Sequence, residues 1–181
     1  MSNERVSRQT ALARFDAEFD RWKSALDAIG MDRMNEPGMM GEWPPKQLVA
    51  HISGWQWKTM ASMRRSISGG EYPPTPWPAE FNDSAWWEED GDVDAVNQWI
   101  HDAAEPVPAD EIVATSLQQW RDIRDIIAGL DEDQLNDPNL FPRLEGQSVG
   151  EVLAHDVLSG HAEEHIENDV EPWLERNGRR S

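Results

Sequence analysis

The sequence predicts an all-α protein: a single domain over 1–181, built as a four-helix bundle. Three observations carry this. Four segments place apolar residues at the spacing of an amphipathic helix. No segment alternates apolar and polar residues as a half-buried strand does. No Asn-Gly turn joins two strand-like runs. A chain of 181 residues is long enough to bury a core of its own and short enough to need only one.

The first helix is expected over 7–29, where Leu12, Phe15, Phe19, Trp22, Leu26 and Ile29 follow one another at alternating steps of three and four. That is the seam of a helix packed in a bundle. Gly30 stops it, and a loop with Met, Gly and Pro covers 30–43. The second helix starts at Pro44-Pro45, where proline is tolerated in the first turn. It runs to about Ser66 and ends at Gly69-Gly70, carrying Leu48, His51, Ile52, Trp55, Met60 and Met63.

Pro73, Pro74, Pro76 and Pro78 then fall within six residues. They remove backbone donors and push their neighbours to extended conformations, so 69–91 is expected as a long connection crossing the bundle, with little regular structure. The third helix is broken. Residues 93–105 read as helical, Pro106 and Pro108 interrupt, and the helix resumes from Ala109 to Gly129 with Val113, Leu117, Trp120, Ile123 and Ile127 on its apolar face. A loop rich in Asp, Asn and Pro is expected over 131–147. The fourth helix opens at Ser148, which with Glu151 forms a capping box. It continues through Val149, Val152, Leu153, Val157 and Leu158 to about Arg176, despite Pro172.

Composition narrows the function. Ten Trp, seven Met and four Phe separate the chain from disordered acidic sequences, which lack such residues. The formal charge of −19 argues against nucleic acid, whose phosphates need a basic surface, and against anionic membranes. There is no cysteine, hence no disulfide, thiolate nucleophile or thiolate metal site. The N-terminus has no apolar leader segment and no run is long enough to span a bilayer, so the expectation is a soluble, cytoplasmic protein. Lysine is limited to Lys23, Lys46 and Lys58; the acidity reads as a solvated surface, with a salt-adapted host as the second reading.

The five histidines are the candidate chemistry. His161 and His165 form an H-x-x-x-H pair, and on a helix such residues lie about 40° apart around the axis and one turn apart along it. Both rings can reach one ion. His51 lies between Leu48 and Trp55 on the inward side of the second helix. Three nitrogens from two facing helices can make a site with open positions for water or substrate. The competing reading is a set of unrelated core histidines bonded to carbonyls. His155 lies off the face of the pair, and His101 reads as a surface residue or an outer neighbour of the site. No G-x-S-x-G elbow, dinucleotide fingerprint or P-loop occurs, and 35 acids make any chosen carboxylate pair uninformative.

Two stretches resemble a known family. GEWPPKQLVAHISGW, with His51, is similar to the second helix of the DinB/YfiT-like metal-binding bundles, and SVGEVLAHDVLSGHAEEHI, with His161 and His165, to their fourth. The order of features, including VDAVNQWI, GLDEDQL and GHAEEH, resembles the ClbS/DfsB branch most closely, over about 7–175. The resemblance implies an up-down-down-up bundle, with 69–91 bridging helices two and three. It also implies a divalent metal on His51, His161 and His165; nitrogen-only ligation suits zinc, nickel, copper or iron alike, and zinc or nickel is the expectation. It brings in the superfamily's thiol-dependent S-transferases and isomerases, hence a low-molecular-weight thiol cosubstrate, and a self-resistance hydrolase of the ClbS/DfsB branch.

The first functional reading is therefore a small metal-dependent transferase or hydrolase acting on a small electrophilic molecule. Trp55, Trp77, Trp86 and Trp87 would wall its pocket, unless they simply pack over the end of the bundle. Arg64 and Arg65 are candidates for the carboxylates of a thiol, against a plainer role as solvent-facing charges. The alternative is a non-catalytic bundle that sequesters a small ligand, or a stress-associated homodimer.

Overall fold

The computed structural model describes residues 5–69, 93–141, 144, 146–155 and 160–178. Ser7 accepts the Thr10 amide at 3.1 Å and opens α1 (Arg8–Ile29), and the Gly30 amide closes it on the Leu26 carbonyl. The expected seam is the buried face: Phe15, Phe19, Trp22, Leu26 and Ile29 lie in the core with Ala11 and Ala25, and Leu12 packs at its edge. A short 3-10 turn (Met31–Arg33) leads to α2 (Pro45–Ser68), which Gly69 ends in the left-handed conformation that glycine adopts without steric cost. The expected connection 69–91 falls beyond that point, outside the described residues from 70 onward.

The broken third helix is α3 (Val93–Ala104) and α4 (Ala109–Gly129). Gly54 of α2 is where α3 comes close: a Cβ there would stand 2.5 Å from Ile100 Cδ1. The buried face of α4 differs from the expected one. Ile112, Ser116, Trp120, Ile123 and Ile127 are buried, while Val113 and Leu117 pack only at the margin. The buried Ser116 hydroxyl on this face is satisfied by Trp22 Nε1, which donates to Ser116 Oγ at 3.1 Å.

The loop expected over 131–147 contains α5 (Glu132–Leu135), with Asp131 and Gln134 exchanging the two bonds of a capping box. The D-x-x-Q pattern was its signal. The Ser148–Glu151 box opens α6 (Val149–His155) as expected: the Glu151 amide donates to Ser148 Oγ at 3.1 Å and the Ser148 amide to Glu151 Oε2 at 2.9 Å. Val157 and Leu158 lie outside the described residues. The chain resumes as α7 (Gly160–His165), passes through a π-helical turn (Ile166–Val170) and ends as α8 (Glu171–Asn177). The wide turn ends two residues before Pro172, whose ring would clash with the carbonyl four residues back in an unbroken α-helix.

No strand occurs among the described residues; one isolated antiparallel bridge joins Met40 and Trp43. The most extensive pairing among the described elements is α2 with α4. α1 packs on α4, α6 and the π turn, and α2 on α3. No helix of the described residues is long and apolar enough to cross a membrane.

Candidate metal centre

α2 carries His51 into the interior, where only 5 % of the residue is exposed, and α7 brings His161 and His165 to meet it. His161 Nε2 lies 3.0 Å from His51 Nε2 and 3.0 Å from His165 Nε2. One nitrogen from each ring fits within a span of 4.8 Å, and the ring centroids of His51 are 4.8 and 5.1 Å from those of His161 and His165.

Hydrogen bonding alone does not satisfy this arrangement. A ring nitrogen carries either one proton or one in-plane lone pair, so His161 Nε2 can make one well-aligned bond and must share it, bent, with its second contact. The two 3.0 Å separations at His161 Nε2 suit a shared cation. Two imidazole nitrogens at about 2.0–2.1 Å from one ion stand about 2.8–3.4 Å apart for angles between octahedral and tetrahedral. The donor set is therefore one that could hold a metal ion.

Protonation points the same way. Burial, aided by the nearby His161 and His165, pushes the pKa of His51 down from 6.5 to about 3. Burial and His165 push that of His161 down to about 4. Both rings are thus neutral near pH 7 and have lone pairs to offer. His165 Nδ1 lies 2.6 Å from Asp169 Oδ2 in the π turn. Since the carboxylate accepts, Nδ1 is the donor, and this bond turns Nε2 toward His161 Nε2. This is how a carboxylate orients a metal-binding imidazole. His51 Nδ1 has no partner among the described atoms.

Aromatic rings close the surroundings. Trp55, fixed by its Nε1 bond to Asn97 Oδ1 at 3.0 Å, stands edge-on to His51 and His161 at 6.4 and 6.3 Å between centroids. Trp43 meets His51 at 6.2 Å and lies 4.9 Å from His101. His101 is thus an outer neighbour reaching the cluster through Trp43. Of the tryptophans expected at a pocket, Trp55 is beside the histidines, and Trp77, Trp86 and Trp87 lie outside the described residues. So does the side chain of His155. Arg64 sits about 20 Å farther along α2 at 1.5 Å per residue and faces Asp122 at 3.6 Å, so it is remote from the three rings. Sequence reasoning passed over Trp43 and Asp169. Trp43 stood within the quoted helix-two motif, and Asp169 lies four residues after His165, the spacing at which helical side chains meet.

Asp169→Asn keeps the shape of the side chain but can present its amide nitrogen to His165. We expect metal affinity to fall about 10–100-fold, measured by competition with a chromophoric chelator. An unchanged affinity would remove Asp169 from the account.

The family described as the DinB superfamily matches residues 34–167, a span containing all three histidines. The structure is similar to that of a protein from Streptococcus pneumoniae, with a TM-score of 0.64 and 16 % identity over 93 % of this chain and 90 % of that one. It is also similar to an uncharacterised protein from Escherichia coli UTI89, with a TM-score of 0.66 and 15 % identity over 98 % of each chain. At such identities the likeness speaks to the fold alone. No curated protein matches the chain.

Proposed function

The chain belongs to the DinB superfamily, and on that premise we propose that His51, His161 and His165 hold one divalent ion in a small metal-dependent enzyme. Its reaction is transfer to, or hydrolysis of, a small electrophilic molecule. The observation that carries the reading is the meeting of three ring nitrogens within 4.8 Å, one ring oriented by Asp169. We read the helices as an up-down-down-up four-helix bundle, with α3 and α4 as one interrupted helix and the chain from α6 to α8 as the last. The order of sequence features favours the ClbS/DfsB branch.

A bound ion there supplies Lewis acidity, polarising a carbonyl or acidifying a water. The chain's own residues do the rest. Asp169 fixes the His165 tautomer. Burial keeps His51 and His161 unprotonated. Trp43 and Trp55 limit water around the rings, which strengthens every electrostatic contact inside. Nitrogen ligation suits zinc, nickel, copper or iron; zinc or nickel is the ion we favour, and a low-molecular-weight thiol the cosubstrate we favour for a transferase.

Elemental analysis of protein purified without an affinity tag should give one zinc or nickel per chain. Turnover of model electrophiles, with and without thiol and metal, then separates an enzyme from a bundle that only sequesters its ligand. Protein that stays metal-free after incubation with zinc and with nickel would sink the metal-site reading.

A further inference from the structure

Beside the three histidines lies a cavity of about 60 Å³, walled by Phe15 of α1, Ile52, Trp55, Gln56 and Thr59 of α2, Ile123 of α4, and His161 and Ala162 of α7. Its lining is apolar except at a few places, and Gln56 is the unusual one. The residue is only 7 % exposed, yet neither its amide nitrogen nor its amide oxygen has a hydrogen-bond partner among the described residues. A buried amide left without partners is costly and uncommon in a native protein. His161, by contrast, is engaged at Nε2 with both other rings, so it does not serve Gln56 through that atom.

We infer that Gln56 is a substrate-binding residue whose amide pairs with a carboxamide, lactam or urea group entering this cavity. The inference rests on the metal-site reading for its sense, because the cavity shares His161 with the cluster and so sets the bound group next to the ion. The chemical class follows from what Gln56 offers, one acceptor oxygen and two N–H donors on a planar group. An amide presents the complementary acceptor and donor side by side. A carboxylate would meet Gln56 Oε1 with a second oxygen and is disfavoured. The volume is that of about two waters, enough for the head of such a molecule and no more.

The test uses acetamide as the probe and acetate as the comparator. Both are titrated into metal-free and zinc-loaded full-length protein, followed by the NMR signals of the Gln56 side-chain amide and the Trp55 indole N–H. We expect acetamide binding in the millimolar range, at least tenfold weaker binding in Gln56→Leu and Gln56→Met, and, in the metal-free protein, weaker binding of acetate than of acetamide. Because both replacements remove an unpartnered amide from the interior, they should also raise Tm by about 2–4 °C or more. A structural glutamine would give the opposite shift. Equal acetamide binding by wild type and variants, equal binding of acetate in the metal-free protein, or a lowered Tm would each overturn the inference. If zinc fails to bind, the metal reading falls while the metal-free titration still decides the role of Gln56. If zinc binds normally and acetamide does not, Gln56 alone is refuted.

Discussion

His161→Ala is expected to reduce bound metal from one ion per chain to nearly none while leaving the helical far-UV signal in place. His161 is the ring that the other two share: its Nε2 is the atom lying 3.0 Å from both His51 and His165. Without it two nitrogens remain, and the loss of a direct ligand should exceed the 10–100-fold effect typical of an outer partner such as Asp169. The fold does not depend on the ring. The segment that carries it is held by Ala162, Ile166, Val170, Trp173 and Leu174, all buried, and on its outer side by Arg21 of α1, which pairs with Glu163 and lies 3.4 Å from Glu167 and 3.7 Å from Glu171. Chelator competition and circular dichroism on the same sample provide the check. Wild-type affinity in the variant would show that the three rings do not share an ion.

Trp22→Ala should be the most destabilising substitution in α1. The side chain is fully buried, and its indole N–H is the partner of the equally buried Ser116 hydroxyl. Deleting a buried tryptophan costs about 3–5 kcal/mol. For a chain of this size that lowers Tm by about 6–20 °C. Trp22→Phe separates the two contributions: it keeps much of the ring volume, leaves Ser116 Oγ without its donor, and should lose less. Thermal unfolding of both variants measures this. A loss in Trp22→Ala of no more than about 0.5 kcal/mol, the range of ordinary surface changes, would contradict the packing described for α1 against α4.

Both expectations draw on features that differ in how they could be read from the chain. The helix limits were legible because they are local. Ser7, Gly30, Gly69 and the Ser148–Glu151 pair act on backbone groups within a turn or two, and the apolar spacing of α1 matches its buried face almost residue for residue. The short helix after Asp131 was missed although its capping pattern was present, because four residues carry no periodicity to see. The buried face of α4 was misjudged by one position at Ile112 and Ser116, because burial of that hydroxyl depends on Trp22, 94 residues away in sequence.

The candidate site divides in the same way. By itself the sequence determined the helical segments, the i, i+4 placement of His161 and His165 on one face, and the inward side on which His51 sits, since helical geometry alone sets all three. Tertiary structure decided that His51, 110 residues before His161, comes within 3.0 Å of it. It also decided that Trp43 meets both His51 and His101, and that Gln56 is closed into a cavity without a partner among the described residues. The physical reason is that periodicity reports which face of a helix turns inward. What that face meets is set by how α1, α2, α4 and α7 pack together, through contacts between residues too far apart in the chain for any local pattern to record.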